Sequence, residues 1–181
     1  AKTLVGALPG GLAHVNIIAA MLFGAIAGSA VAAASALGSM LGKRMEDEGY
    51  SKEFATAVNV TSSYTGLIIH PSNVLIVYSL ASGGVSIAAL FLAGYLPGIL
   101  TGLLLMIVAA IWAKRKKFPV GERSKLKDIG STFLAALPSL LLLVVIIGGI
   151  VAGIFTATEA SAVAVLYCLA LAYIYKEMTG P

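Results

Sequence analysis

The chain has 181 residues, of which 59% are apolar and only 11% are charged. An ordinary soluble domain carries about 25% charged residues. The mean hydropathy of +0.98 leaves too little polar surface to coat a soluble globule of this size. These values exclude a cytosolic enzyme domain, a disordered tail and a secreted disulfide scaffold. They predict an all-α membrane protein that is not an enzyme.

The first long charge-free stretch, residues 3–42, has a Gly28-Ser29 pair near the middle of a run of small residues. The part from His14 to Gly42 is long for one membrane span and short for two, since one span needs about 20 apolar residues. We predict a re-entrant helical hairpin over 14–42, in which two half-length helices meet at a Gly-rich tip. The alternative is one long, Ala-rich span.

The second stretch, residues 54–113, predicts one broken helix over 53–80 and one span over 86–113. Pro71 removes a backbone donor and biases the preceding residue away from helix, and Gly66 permits a break one turn earlier. Polar side chains flank this break: Thr61, Ser62, Ser63, Thr65, His70, Ser72 and Asn73. We predict unwound backbone here; the alternative is a Pro-kinked helix whose hydroxyls bond back to its own turns.

A basic loop over 114–128 leads to two further predicted spans, 129–153 and 157–175. If the hairpin starts and finishes on one side of the membrane, all 12 basic residues fall on that side, which the positive-inside rule makes cytoplasmic. We therefore expect a lipid membrane as a partner and no nucleic acid. Thr156 and Glu159 have the spacing of a capping box at the start of the last span.

Two interruptions in neighbouring membrane elements are typical of secondary transporters. Neither interruption has an Asp or Glu, so oxygen ligands for a hard monovalent cation are favoured over a proton relay. We predict a sodium ion (Na+) between the tip and the broken helix, with these ligands: Ala27, Gly28, Ser29, Thr61, Ser62, Ser63 and Gly66. For the tip, a close-packed Gly/Ser helix contact is the alternative.

The chain resembles the large membrane (permease) subunit of tripartite ATP-independent periplasmic (TRAP) transporters. The resemblance rests on PGGLAHVNIIAAMLFGAIAGSAVAAASALG at 9–38, GYSKEFATAV at 49–58, SSYTGLIIHPSNVLIVYSLASGGVSIAALFLAGYLPGIL at 62–100 and GGIVAGIFTATEASAVAVLY at 148–167. The segment after Pro71 looks closest to the sialic-acid branch. Because the family's large subunit is roughly twice this length, we expect the chain to be part of a longer membrane protein.

The resemblance implies one half of an inverted-repeat elevator transporter in the bacterial inner membrane, coupled to sodium. Residues 1–113 would belong to the moving transport domain, 114–128 would form a cytoplasmic loop, and 129–181 would hold two scaffold-type spans. A periplasmic substrate-binding protein would deliver an organic acid such as sialic acid or a dicarboxylate, and a small membrane subunit would brace the scaffold. We assign the substrate to Ser29, Thr65, His70, Ser72 and Asn73.

The chain departs from the family pattern at four motif positions. Ala27 stands where Ser is usual and Ala33 where Asp is common; His70 and Ala157 each replace a Pro. Ligands supplied by backbone carbonyls survive such changes, whereas side-chain ligands at 27 or 33 do not. A non-transporting membrane scaffold or a channel-like protein is the alternative function.

Overall fold

A computed structural model describes residues 8–69, 72–118 and 126–175, and every regular element in these ranges is helical. The chain divides into two compact units, residues 1–129 and 130–181. The helices are α1 (Gly11–Ala27), α2 (Ala30–Leu37), α3 (Lys43–Asp47), α4 (Lys52–Ser63), α5 (Thr65–Ile68), α6 (Asn73–Ala81), α7 (Ile87–Lys116), α8 (Leu126–Val151) and α9 (Ala157–Ile174), with a π-helical segment over Gly38–Gly42 between α2 and α3.

Two helices in the described part of the chain, Ile87–Lys116 and Gly130–Val151, are long and apolar enough to cross a membrane. Gly11–Ala25 and Thr158–Ile174 are shorter apolar helices. The predicted all-α class is therefore confirmed, and these helices fit a membrane protein. The number of crossings and the re-entrant placement of the hairpin stay predictions.

The chain turns between α1 and α2 at the pair that the sequence singled out. Gly28 takes a left-handed conformation, φ 60°, and its N–H donates to the carbonyl of Gly24 at 2.7 Å. Ser29 is extended, and its Oγ accepts a hydrogen bond from the N–H of Ala32 at 3.3 Å. A left-handed glycine ends one helix and a serine cap begins the next, so the interruption follows from local chemistry.

The second predicted element leaves helical backbone on both sides of Pro71, but it stays helical at Gly66, where an earlier break was also expected. Residues 61–63 and 65–68 are helical, and Tyr64 alone separates α4 from α5. Extended backbone is found at Ile69 and again at Ser72. The earlier break that Gly66 was expected to permit, with freed carbonyls over 61–66, is therefore wrong, because Gly66 serves close packing within a helix. His70 and Pro71 lie outside the described residues.

In the first unit, helix α7 has a row of buried glycines spaced four residues apart: Gly94, Gly98 and Gly102. A Cβ at Gly98 would meet the side chain of Ile69, and one at Gly102 would meet Met21. Small residues let neighbouring backbones approach closely in membrane helices. Through these contacts α7 packs against both α1 and α5.

Aromatic side chains hold the polar connections against the start of α1. Tyr50 lies 4.9 Å from Phe118 and 6.1 Å from Phe54, measured between ring centroids. Burial raises the pKa of the Tyr50 phenol, and a hydrogen bond to the backbone of Leu12 opposes this shift less strongly. This cluster fixes the N-terminal end of α4 beside the C-terminal end of α7.

In the second unit, α9 begins with the predicted capping box. The Thr156 N–H donates to the Glu159 carboxylate at 2.7 Å, and the Glu159 N–H donates to the Thr156 hydroxyl at 3.3 Å. Further along, the Tyr167 phenol donates to the carbonyl of Pro138 in α8 at 2.7 Å. The structural interpretation of Thr156 and Glu159 is thus confirmed.

A very close backbone contact in the first unit joins α1 to α5. A Cβ at Gly66 would lie 2.7 Å from the Cα of Gly24, and a Cβ at Gly24 would overlap Gly66 in turn. We expect Gly66→Ala to destabilise the complete subunit by about 1–3 kcal/mol, because backbone atoms cannot yield as side chains do. Thermal unfolding in detergent measures the loss.

Gly42→Ala is the matched control. Gly42 has ordinary helical angles, φ −56° and ψ −59°, and a Cβ there would meet nothing within 4 Å. We expect this variant to unfold at the wild-type temperature or slightly above. Equal unfolding temperatures for both alanine variants would contradict the assigned close approach.

Candidate binding site at the hairpin tip and the broken helix

The close approach of Gly24 and Gly66 places the hairpin tip beside α5. Gly24 lies one turn before the tip, and α2, which follows the tip, also contacts α4 and α5. The predicted ligand residues of the tip and those of 61–66 therefore belong to helices that pack against one another. Gly28 is buried, while Ala27 and Ser29 are partly exposed.

The tip offers two kinds of backbone group. A helix leaves its last four carbonyls and its first four N–H groups without partners inside the helix. Gly28 satisfies one carbonyl of α1, and Ser29 satisfies one N–H of α2. The carbonyl of Ala27 is among the remaining acceptors of α1, so the departure from Ser at this position leaves a backbone acceptor in place.

The four hydroxyls nearest the junction of α4 and α5 donate to carbonyls one turn earlier in the chain. The Ser62 and Ser63 hydroxyls donate to the carbonyl of Asn59, at 3.2 and 2.7 Å. Thr65 donates to Ser62 at 2.6 Å, and Thr61 donates to Ala57 at 2.7 Å. This is the back-bonding that the alternative interpretation predicted. Each hydroxyl oxygen nevertheless keeps lone pairs, while its hydrogen is committed.

Ser72, beside the break, has a side-chain hydroxyl that is not committed to a hydrogen bond with the described residues. It is fully buried, and its Oγ has no hydrogen-bond partner among the described residues. It precedes α6 without capping it through its side chain. Asn73, by contrast, is exposed, and Thr65 is buried. Of the predicted substrate residues, Ser72 has the strongest structural case, and His70 lies outside the described part of the chain.

Comparisons with known proteins give the family. The family described as "Tripartite ATP-independent periplasmic transporter, DctM component" matches residues 1–180. The chain belongs to this TRAP transporter family. Its recognition as a TRAP large subunit is confirmed by relatives that match over nearly the whole chain.

Three relatives illustrate the match. The protein YgiK of Salmonella typhimurium is 64% identical over 178 residues, 98% of this chain and 41% of the relative. The C4-dicarboxylate TRAP transporter large permease protein DctM of Vibrio cholerae is 43% identical, over 100% of this chain and 40% of the relative. The sialic acid TRAP transporter large permease protein SiaM of Vibrio cholerae is 41% identical, over 99% and 42%. The chain spans about two fifths of the length of these relatives.

In this TRAP chain, Ala33 is fully buried in α2. The family resemblance implies that an Asp is common at this position, which lies inside the first unit, and the chain supplies no carboxylate there. The backbone of Ala157 begins α9. Among the described residues, no group of three or more His, Cys, Asp or Glu side chains is placed to hold a metal ion. The described residues of the tip and the break therefore offer a cation neutral oxygens.

Two buried asparagines were missed by the sequence analysis. Asn59 is 8% exposed, and its Nδ2 donates to the carbonyl of Ala34 at 2.8 Å, which ties α4 to α2. Asn16 in α1 is 1% exposed, and neither polar atom of its amide has a partner among the described residues. For both residues, the signal available in the sequence was an amide side chain inside a charge-free apolar stretch.

An unsatisfied buried amide costs stability, so a residue kept at that cost is a candidate for function. We expect Asn16→Leu to raise the stability of the complete subunit by about 1–3 kcal/mol and to lower transport. Asn59→Leu should instead lower stability by about 0.5–2 kcal/mol, because it breaks the bond to Ala34. Thermal unfolding and uptake are measured on both variants. A destabilised Asn16→Leu protein with normal uptake would make Asn16 a packing residue.

Proposed function

We propose that the complete protein takes up an organic acid together with sodium across the bacterial inner membrane, as the large subunit of a TRAP transporter. The observation that carries the proposal is the direction of the polar hydrogens around the tip and the break. The relatives reported above are named for C4-dicarboxylates and sialic acid, both of which are carboxylic acids. We propose a substrate of this class.

The hydroxyls of α4 and α5 suit a cation. Their hydrogens already point into carbonyls of their own helix, so only oxygen lone pairs are left for a ligand. Hard cations such as sodium prefer several oxygen ligands. We propose that sodium binds between the tip carbonyls, Ala27 to Ser29, and the oxygens of Ser62 and Ser63.

The N-terminal end of α2 and Ser72 suit an anion. Free N–H groups and the positive end of the helix dipole favour negative charge at a helix N-terminus. Ser29 uses its oxygen as an acceptor, which leaves its hydroxyl hydrogen available to a carboxylate. Ser72 has an uncommitted hydroxyl beside the break in the second element. We propose these groups as this chain's contribution to the substrate site.

The absence of a carboxylate from the described tip and break gives a physical reason for coupling. A sodium ion held only by neutral oxygens lacks a counter-charge, and a carboxylate substrate bound close by would supply it. Each ligand then raises the affinity for the other by the same factor, as thermodynamic linkage requires. This coupling separates the proposal from the scaffold and channel alternatives, which need no such pairing.

The rest of the transport cycle is proposed from the family. We propose that residues 1–113 belong to the moving part of an elevator and that 129–181 belong to the scaffold, with the missing length of the subunit completing both. A small membrane subunit and a periplasmic substrate-binding protein are the proposed partners. The basic loop over 114–128 is proposed to face the cytoplasm.

Uptake by the complete transporter, reconstituted in liposomes with its partners, tests sodium coupling. We expect the double variant Ser62→Ala/Ser63→Ala to require at least about thirtyfold more sodium for half-maximal uptake, since two lost buried oxygen contacts of about 1–3 kcal/mol each sum to at least about 2 kcal/mol. The matched control is Ser39→Ala, because the Ser39 hydroxyl also bonds back to its helix, at 2.8 Å from Ala36, but lies exposed.

An unchanged sodium requirement in the double variant would make both serines packing residues. Sodium flux without substrate would favour the channel-like alternative instead.

Single-cysteine labelling in a Cys168→Ser background tests the proposed topology. Ser82→Cys lies in the turn after α6 and should react with a membrane-impermeant reagent added from outside. Lys114→Cys, at the basic end of α7, should react only after the membrane is opened. Outside labelling of position 114 would overturn the assignment.

A further inference from the structure

A long groove lies between α4 and α7 in the first unit. Its cavity volume is about 600 Å³, and it is open on its outer side. The walls are mainly apolar and include Phe54, Val58, Leu105, Val108 and Ala109. The floor is Ile17 of α1, which is 2% exposed. The groove therefore offers an apolar ligand more contact than the convex surface of a single helix does.

Two opposite charges line one end of this groove without meeting. Lys116 lies at the end of α7, with its Nζ 5.8 Å from the centroid of the Trp112 ring. Glu53 stands in the first turn of α4. Among the described residues neither side chain forms an ion pair, although both line the same cavity. A ligand that carries both charges can therefore engage both residues at once.

The N-terminal end of α4 adds donors beside these charges. The Ser51 Oγ accepts the N–H of Phe54 at 3.3 Å, and the Ser51 carbonyl accepts from Ala55. The N–H groups of Lys52 and Glu53 have no partner inside the helix. Together with Lys116 they suit a phosphate, which accepts hydrogen bonds from backbone amides and from ammonium groups.

We propose that the α4–α7 groove binds a phospholipid with a phosphoethanolamine headgroup. The phosphate contacts Lys116 and the first amides of α4, the primary ammonium contacts Glu53, and an acyl chain lies along the apolar walls towards Leu105. Glu53 disfavours a headgroup that is purely anionic. A primary ammonium donates hydrogen bonds to the Glu53 carboxylate, whereas a quaternary ammonium has no N–H to donate.

The level of the groove in the membrane supports this occupant. Trp residues and basic runs mark the boundary between acyl chains and headgroups, and Trp112 stands directly before Lys114–Lys117. The polar end of the groove is thus at headgroup depth, and its apolar length faces the acyl region. The proposal needs the membrane setting. Thr61, one of the predicted sodium ligands, also lines the groove, whereas Ser62, Ser63 and the predicted substrate residues do not.

Lipid retention by the complete large subunit tests the proposal. The purified subunit is offered equal amounts of phosphatidylethanolamine, phosphatidylglycerol and phosphatidylcholine with identical acyl chains, and native mass spectrometry counts the lipids that stay bound. We expect phosphatidylethanolamine to be retained preferentially. Lys116→Gln and Glu53→Gln should each reduce that retention about tenfold, since each removes one charged hydrogen-bond partner.

Two further variants separate binding from folding. Lys114→Gln removes a neighbouring charge that does not line the groove, and it should leave retention unchanged. Glu53→Lys should switch the preference to phosphatidylglycerol, a gain that misfolding cannot produce. Equal retention of all three lipids by the wild type, no retention, or equal losses in Lys114→Gln and Lys116→Gln would each overturn the proposal.

Discussion

The backbones of the hairpin and the broken helix pass each other at Gly24 and Gly66 with no side chain between them. This contact sets the position of the tip relative to α4 and α5, because the tip begins one turn after Gly24. It also fixes how α1 lies on α7, where Met21 fills the space above Gly102. Close helix contacts between small residues provide much of the packing in membranes, where water does not drive helices together. The candidate site depends on this crossing.

The polar groups around the crossing fall into two kinds, which differ in whether the hydroxyl hydrogen is already bonded within the protein. Serine and threonine hydroxyls in α4 and α5 point their hydrogens into their own helices and leave oxygens for a cation. Ser29, at the start of α2, keeps a hydrogen for an anion. We propose that this short region offers complementary surfaces for a sodium ion and a carboxylate. A hydroxyl can bond back to its own helix through its hydrogen and still offer its oxygen to a cation, so the packing and binding interpretations are compatible.

Features set by neighbouring residues in the sequence could be predicted, whereas contacts between helices distant in sequence could not. The turn at Gly28 and the capping box at Thr156 follow from residue preferences within a few positions, and both are found where expected. Gly66 was taken as a flexible point, yet it is helical, since its lack of a side chain serves a neighbour distant in sequence. The bond from Asn59 to Ala34, and the isolation of Asn16, also depend on which helices meet. The pattern of a single sequence does not show which helices contact one another.

Hydrogen exchange of the complete large subunit, measured by mass spectrometry in sodium and in potassium at equal ionic strength, tests the central claim most directly. If sodium binds between the tip and the broken helix, it should slow amide exchange in residues 24–37 and 59–69 and leave Ala157–Ile174 unchanged. Identical exchange in the two salts, or slowing spread evenly along the chain, would contradict a sodium site at this crossing.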